Sequence, residues 1–410
     1  MKSETPQSFQ KDDQKGFKTR LYPNKEQKEK LDQTLGCCRL VYNTILNEIN
    51  EAVEEYFKDP ENNQWPIKGK HSLADHITRL RAHPDYWFLN DVSSRALRSS
   101  LVNMTDAFKR AYGSKKVKDS GKPKFRRKRD RQSYSLEYPK FEIQGNSIRL
   151  EKIPGFIKMR GGRMPPGTPS SITVSKTPSG EYYASFLCEF EPKKTSGTKV
   201  TGIDAGIAIL YTLSDGTTID NPRFFIQSAL KLARLQRQLS RKQKGSANRE
   251  KARIKLAFVY QHVAAQRREF IHRLTTILIR QNQAIIIESL KIANMVKNRH
   301  LAKHIMDAAW GEFFRQLFYK ARFSQHCEIL VCGTFFPSTH VCANTMKKID
   351  FKLDLSQREW LCPHCGEIHD RDLNAAQVLR NVGQRFLDRE PTLRTNGAAP
   401  ILIDANRYLD

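Results

Sequence analysis

The chain lacks long apolar runs: nowhere in its 410 residues do 18 or more apolar residues follow one another. Because a membrane-spanning helix needs about 20 such residues, the sequence predicts no transmembrane segment and no membrane partner. The polar start MKSETPQSFQKDDQKG also has no apolar centre of the kind found in secretory signal peptides. We therefore expect a cytoplasmic protein.

Cysteine is scarce as well, and eight cysteines are too few for a disulfide scaffold in a chain of this length. In a reducing compartment a close pair such as Cys362 and Cys365 more often binds a metal. No G-x-x-x-x-G-K-[ST] loop is present, which argues against an ATP-driven motor. The cysteines in apolar stretches are expected to be buried core thiols: Cys37, Cys38, Cys188, Cys327 and Cys332.

Acidic residues are in deficit, with 43 Asp and Glu against 70 Lys and Arg, which gives a net charge of +27. A chain this basic is typical of proteins with a polyanionic partner. The charge is also concentrated, since residues 109–131 contain twelve basic and two acidic residues. These features predict binding to DNA or RNA.

The chain is too long for one hydrophobic core, which stops growing near roughly 250 residues, so we expect several domains. Helical periodicity follows the first strand, then short alternating segments, and later strands alternate with helices. This pattern predicts a multidomain α/β protein with an additional β-barrel. The predicted boundaries are a disordered lead at 1–15, a β-barrel at 16–23 and 113–195, a helical unit at 24–112, an α/β domain at 196–335 and 367–385, a cysteine-containing insertion at 336–366 and a tail at 386–410.

Three acidic residues adjoin apolar segments. Asp204 lies in V-T-G-I-D-A-G-I, Glu288 ends A-I-I-I-E, and Asp372 opens the helix of H-D-R-D-L-N-A-A. Singly they suit a turn, a strand end and a helix N-cap, but a buried carboxylate is costly unless it is paired or binds a metal. Two strand ends and a helix start can meet at one sheet edge, where carboxylate oxygens suit Mg²⁺ or Mn²⁺. The pattern therefore favours a two-metal nuclease site, with Asp204 bridging the ions.

Seven segments occur in the order and at the spacing of a known family. They are F-K-T-R-L-Y-P-N, L-G-C-C-R-L-V-Y-N, G-K-P-K-F-R-R-K, G-I-D-A-G-I, I-I-I-E-S-L, L-A-K-H-I-M-D-A-A-W-G-E-F and C-P-H-C-G-E-I-H-D-R-D-L-N-A-A. Over about residues 16–381 the chain thus resembles TnpB, the transposon-encoded RNA-guided DNA endonuclease.

The resemblance implies a RuvC (RNase H-like) nuclease domain and an N-terminal wedge barrel that is interrupted by a helical recognition domain. It also implies a guide RNA and target double-stranded DNA as partners, in a monomeric ribonucleoprotein at the prokaryotic nucleoid. The family's catalytic positions fall on Asp204, Glu288 and Asp372.

The cysteine insertion departs from the family pattern. The family carries two C-x-x-C pairs that bind zinc, whereas the first pair here reads Cys342-Ala-Asn-Thr345, and threonine is not a zinc ligand. The alternative to a zinc site is a degenerate knuckle held by Trp360 and its apolar neighbours. The candidate zinc ligands are Cys342, Cys362 and Cys365 with His340 as the fourth, or with His364 or His369 in its place.

A basic tract with interleaved aromatic residues suits phosphate contacts and base stacking, although charged runs are also typical of solvated surfaces. The tract residues predicted to bind nucleic acid are Lys124, Arg126, Arg127, Lys128, Arg129, Arg131 and Tyr134. The resemblance implies that Ser93, Ser94, Arg95 and Arg98 read a short target-adjacent motif, with Gln132 and Ser133 as further candidates. Arg267 and Arg268 on a later helix are candidates for backbone contacts.

Three alternative functions remain open. A compact type V CRISPR effector shares the nuclease domain, although 410 residues is short for one. A guide-dependent DNA-binding repressor would have lost cleavage, which the intact carboxylates argue against. A DNA transposase of the RNase H-like class would also use three carboxylates, but the wedge and recognition segments fit it poorly.

Overall fold

The computed structural model describes residues 14–66, 73–112, 122–161, 167–191, 195–334, 336–351, 353–354, 357–395 and 397–409, without the side chains of residues 103 and 109. The chain divides into two compact units, residues 1–191 and 192–410. Residues 1–13 of the predicted lead at 1–15 and residues 113–121 of the predicted barrel segment lie outside the described residues, while Gln14 and Lys15 belong to the first strand and not to the predicted lead.

The helices of the first unit follow its first strand. Helix α1 begins with a capping box, because the Asn24 side chain accepts from the Gln27 amide at 2.8 Å and the Gln27 side chain accepts from the Asn24 amide at 3.0 Å. Its apolar residues recur at helical spacing and are buried in the core of this unit. The helices are α1 (Lys25–Lys58), α2 (Ala74–Ala82) and α3 (Ser94–Tyr112), with a 3₁₀ segment at Pro84–Asp91.

The strands of the first unit form one antiparallel sheet in the order β2-β6-β7-β1-β5-β4-β3. The strand before the helices pairs with strands after them, since Phe17 lies opposite Phe186 and Arg20 opposite Arg160. The strand before the helices and the strands after them therefore form one sheet. The strands are β1 (Gln14–Tyr22), β2 (Gln132–Glu137), β3 (Phe141–Gln144), β4 (Ser147–Leu150), β5 (Ile157–Arg160), β6 (Ser171–Lys176) and β7 (Tyr182–Glu189).

A six-stranded mixed sheet forms the centre of the second unit, in the order β10-β9-β8-β11-β12-β15. Strands β8, β11, β12 and β15 are parallel, whereas β9 and β10 are antiparallel to their neighbours. A separate two-stranded hairpin lies in the cysteine-containing segment. The strands are β8 (Lys199–Ala205), β9 (Ile209–Leu213), β10 (Thr218–Asp220), β11 (Asn282–Glu288), β12 (Glu328–Cys332), β13 (Glu359–Leu361), β14 (Ile368–Asp370) and β15 (Ile401–Ile403).

Both faces of this sheet are covered. Ile285 and Ile287 of β11 face one core, whereas Ala284 and Ile286 face a second core with the last long helix. Among the described residues, no helix is both long and apolar enough to span a membrane. The helices are α4 (Phe224–Ser240), α5 (Ala247–Gln281), α6 (Ile292–Met295), α7 (Ala302–Ala308), α8 (Trp310–Ser324) and α9 (Arg371–Arg389).

The predicted tail at 386–410 needs correction. Helix α9 continues to Arg389, and β15 extends the sheet beside β12, with Leu402 opposite Val331. The segment therefore belongs to the α/β unit. A three-residue strand is too short to show a period of two in the sequence, which explains why the tail prediction missed it.

Candidate active site and metal centre

Asp204 and Glu288 lie at the same edge of the sheet. In the parallel pair β8 and β11, Ile203 is opposite Ile287, so the next residue of each strand is a carboxylate. Ile203 and Ile287 both belong to the core on one face, and alternation places Asp204 and Glu288 on the opposite face, which α9 covers. The two predicted strand-end carboxylates are therefore brought together.

Asp372 reaches the same edge because α9 packs very closely on β8. A β-carbon on Gly202 would lie 2.0 Å from the Ala376 carbonyl oxygen and 2.5 Å from the Arg380 nitrogen, so only glycine fits there. Asp370 caps this helix by accepting from the Leu373 amide at 2.8 Å, which places Asp372 in the first turn. Asp370 is thus an accessory residue, and Asp372 contributes the third carboxylate.

The ionisation of Asp204 responds to both of the other carboxylates. Burial, followed by the negative charges of Glu288 and Asp372, raises the pKa of Asp204 to about 7. Burial also raises the pKa of Glu288, although a hydrogen bond from the Ser338 hydroxyl opposes the rise. Three half-buried carboxylates at one sheet edge suit a divalent cation, because Mg²⁺ and Mn²⁺ prefer negatively charged oxygen ligands.

Arg358 is a neighbour of this site that sequence reasoning missed. Its guanidinium lies 3.2 Å from Oδ2 of Asp372, and its carbonyl accepts from the Arg371 amide at 2.7 Å. The Arg358 side chain is 58% exposed and the Asp372 side chain 25%. No motif in the sequence links residue 358 to residue 372, so only the fold of the cysteine-containing segment reveals the contact.

A second cluster combines three cysteines with one histidine: Cys342, Cys362, Cys365 and His369. Their ligand atoms all lie within 4.8 Å of one another. The Cys342 and Cys365 sulfurs are 3.7 Å apart, and Nε2 of His369 lies 3.6 Å from the Cys342 sulfur. Tetrahedral zinc with ordinary bond lengths would separate such atoms by about 3.8 Å and about 3.6 Å, so the residues fit zinc.

The fourth ligand differs from the first choice made from the sequence. His340 lies outside the cluster, where its Nδ1 atom is 3.0 Å from the Thr339 hydroxyl, and His369 takes the place instead. His369 is on β14, whose pairing with β13 places it opposite Trp360. Burial raises the pKa of the Cys342 thiol, but hydrogen bonds from Thr345 and other groups lower it overall. Thr345 therefore supports the cluster without being a ligand.

The residues predicted to bind nucleic acid differ in their exposure to solvent. Most of the basic tract is exposed, as are Arg95, Arg98 and Arg268, while Ser94, Gln132 and Ser133 are half-buried. Tyr134 is only 3% exposed, so its prediction as a base-stacking residue is corrected. Ser93 is equally buried and accepts from the Ala96 amide at 3.3 Å, which makes it a cap of α3 rather than a reader of DNA.

Arg267 is also bound within the protein. Its guanidinium lies 2.7 Å from the buried carboxylate of Asp307, which in turn accepts from the Phe225 amide at 3.0 Å. This arrangement stabilises the start of α4 and favours a structural role over the predicted backbone contact. Arg268, the next residue, is exposed, and its backbone contact stays a prediction.

Comparison with known proteins places this geometry in a family. Residues 173–299 match the OrfB_IS605 model, described as a probable transposase, and residues 14–58 match its helix-turn-helix model. Residues 310–379, which contain the cysteine and histidine cluster, match the TNB domain of Cas12f1-like proteins. In the structure residues 14–58 form β1 and the single helix α1.

The chain also resembles whole proteins. A Streptomyces pristinaespiralis protein described as a candidate RNA-guided DNA endonuclease is 37% identical over 90% of this chain and 89% of its own length. InsQ of Escherichia coli K12, with the same description, is 31% identical over 90% of this chain and 92% of its own length. A cryo-EM structure of a Cas12f1–sgRNA–target DNA complex matches with a TM-score of 0.52 and 14% identity, covering 87% of this chain and 83% of the other, which shows a shared fold. Because relatives above 30% identity match nine-tenths of its length, the chain belongs to the TnpB family.

Proposed function

We propose that the protein is an RNA-guided DNA endonuclease that hydrolyses DNA phosphodiester bonds at a single metal-dependent site. The observation that carries the proposal is the convergence of Asp204, Glu288 and Asp372: burial and the charges of the other two carboxylates raise the pKa of Asp204 to about 7. An arrangement of this kind is unfavourable for the fold by itself and suits a site that binds cations. The descriptions of the two long relatives supply the substrate and the guide.

All three carboxylates would be ligands of Mg²⁺ or Mn²⁺. Asp204, which the charges of both other carboxylates affect, would hold the metal together with Glu288 and Asp372. Bound ions would stabilise the negative charge that develops on the phosphodiester oxygens. Ser338 orients Glu288 through its hydroxyl, and the Asp370 cap orients the first turn of α9, which carries Asp372.

The domain assignments follow from the same proposal. The α/β unit would be a RuvC nuclease domain, and the Cys342, Cys362, Cys365 and His369 cluster would bind structural zinc. The first unit would comprise the wedge barrel and the recognition helices, with Ser94, Arg95 and Arg98 near the start of α3 reading a short target-adjacent motif. The guide RNA would supply most sequence recognition by base pairing, as in other guided nucleases.

The test is to express the protein with its native flanking DNA and to sequence the RNA that co-purifies. The complex is then incubated with Mg²⁺ and plasmids that carry randomised flanks beside the target. We expect cleavage by the wild type and by Asp220→Ala, a matched control at an exposed acid of β10, and none by Asp204→Ala.

Each outcome of this test is decisive. Cleavage that requires both the RNA and Asp204 supports the proposal, and sequencing the cut plasmids reveals the flanking motif. Guided binding without cleavage by the wild type points to the repressor instead. The absence of a specific co-purifying RNA removes the guided function.

A further inference from the structure

The basic tract is held in place by α1. The Asn43 side chain accepts from the Arg126 amide at 2.8 Å and donates to the Arg126 carbonyl at 3.0 Å, as a neighbouring strand would. The Arg126 guanidinium lies over the Tyr42 ring, 3.8 Å from its centre. This part of the tract is therefore positioned by specific contacts, which a merely solvated run of charges would not need.

Between the tract and α1 lies a small cavity of about 140 Å³. Leu35 and Cys38, which are buried, are its apolar lining residues. Four arginines line it, and none of its lining residues is acidic: Leu35, Cys38, Arg39, Arg126, Arg127, Arg131, Gln132 and Ser133. We refer to this cavity as the arginine pocket.

Hydrogen bonds orient the residues of the arginine pocket. Arg39 donates to the Gln132 side-chain oxygen at 2.9 Å, and the Gln132 amide nitrogen donates to the Lys128 carbonyl at 2.8 Å. Within the described part of the chain, none of the four arginines forms an ion pair with a carboxylate. Asp130, the acid within the tract, accepts from the Arg127 backbone amide and does not neutralise a guanidinium in the arginine pocket.

The chemistry of the arginine pocket selects its ligand. Guanidinium groups bind phosphate oxygens through paired hydrogen bonds, and four of them gathered without a counter-charge attract an anion strongly. Small-molecule sites usually enclose about 300 to 1,000 Å³, so this cavity is too small for a nucleoside but large enough for a single phosphate.

We propose that the arginine pocket binds one backbone phosphate of the nucleic acid and sets its register on the first unit, with Arg39 as a direct contact. Contacts of this kind position a duplex or an RNA without reading its sequence. The inference rests on the proposed function only in that nucleic acid is the ligand, because it requires neither cleavage nor a metal. The phosphate can belong to the guide RNA or to the DNA, and the test distinguishes the two.

The experiment measures the binding of the full-length protein to its co-purified RNA, and of the ribonucleoprotein to duplex DNA, by fluorescence anisotropy in EDTA over a series of salt concentrations. Arg39→Ala and Arg131→Ala are compared with Arg160→Ala. Arg160 is an exposed arginine of β5 in the same unit that neither lines the arginine pocket nor belongs to the basic tract, so it is a matched control for charge. Arg39→Lys keeps the charge but removes the planar fork.

We expect Arg39→Ala and Arg131→Ala to weaken binding about tenfold and to reduce the salt slope by about one, and Arg160→Ala to weaken it about twofold at most. On a logarithmic scale of affinity, Arg39→Lys should restore less than half of what Arg39→Ala loses. If the variants weaken only the binding of RNA, the phosphate belongs to the guide. If they weaken only the binding of duplex DNA by the ribonucleoprotein, it belongs to the duplex. Equal effects of all three alanine variants on both ligands overturn the proposal.

The proposal remains testable if a variant is unstable. Arg131 is exposed, so its replacement should leave the fold intact, and thermal unfolding of each variant verifies this. Binding in EDTA also separates this inference from the proposed nuclease. If Asp204 proves necessary for cleavage while Arg131→Ala and Arg160→Ala bind alike, only the arginine pocket is refuted.

Discussion

The ionisation of Asp204 connects folding with metal binding at the scale of a single residue. Its pKa in the folded protein, about 7, lies well above the value near 3.9 of an unfolded aspartate. Between these two pH values the folded state binds more protons than the unfolded state, so stability decreases as pH rises through this window. Above pH 7 the fold carries the full cost of an ionised Asp204 beside Glu288 and Asp372, unless a cation compensates it.

This argument predicts that Asp204→Asn stabilises the metal-free protein at alkaline pH. In EDTA at pH 8 the variant should melt at least about 3 °C above the wild type, and at pH 4.5 the difference should nearly vanish. Added Mg²⁺ should raise the melting temperature of the wild type and leave the variant almost unchanged. Asp220→Asn is the control at an exposed acid, and an equal shift at both pH values would contradict the argument.

The sequence was sufficient to predict the three carboxylates because each adjoins an apolar segment whose end the fold must place at a sheet edge. Arg358 and His369 could not be predicted in the same way. Arg358 is part of the site only because the fold brings it into contact with Asp372, fourteen positions later. His369 was one of three nearby histidines, and the pairing of β14 with β13 decides which of them faces the cysteines.

At the scale of elements, α9 and β14 join the two proposed metal sites of the α/β unit. His369 is on β14, Asp370 caps α9, and Asp372 follows in its first turn. Gly202 lets this helix lie directly on β8. A metal bound at His369 would therefore fix the backbone immediately before a proposed catalytic residue.

We predict that His369→Ala loses zinc whereas His340→Ala keeps it. Purified wild type and His340→Ala should contain about one zinc per chain by elemental analysis, and His369→Cys should restore a four-thiolate site. His369→Ala should also cleave DNA more slowly, because the start of α9 loses its anchor. Equal zinc content in the two alanine variants would show that the cluster geometry does not represent the ligand set.

Element prediction succeeded where periodicity extended over many residues and failed where it was short. Between α7 and α8 the helical course of the chain is broken at Ala309, which adopts a left-handed conformation with φ of 54°. Alanine rarely adopts this conformation, so the sequence contains no signal for the break. Strand β5 has four residues and β15 three, and neither is long enough to establish a pattern.

For the molecule as a whole, composition predicted the class of partner and length predicted more than one unit. The division near residue 191 agrees with the change from short strands to alternating strands and helices. The net charge of +27 determines how the affinity for nucleic acid depends on salt. Each phosphate neutralised by the protein releases counter-ions, so affinity must depend strongly on salt.

The exposed part of the basic tract sets the size of this effect. It offers five exposed cationic side chains: Lys124, Arg127, Lys128, Arg129 and Arg131. If Arg127 and Arg131 share the one phosphate of the arginine pocket and the other three meet one each, the tract neutralises four phosphates. The logarithm of affinity for non-specific duplex DNA should then fall with a slope of about −3.6 against the logarithm of salt concentration. Raising salt from about 50 to about 200 mM should weaken binding roughly 10²-fold, measured by anisotropy in EDTA. Replacing Lys124, Lys128 and Arg129 together by alanine should lower the slope by nearly three, whereas replacing Arg267, which is paired with Asp307, should leave it unchanged. A slope near −1 for the wild type would mean that the tract does not contact phosphates and that the basic charge serves another surface.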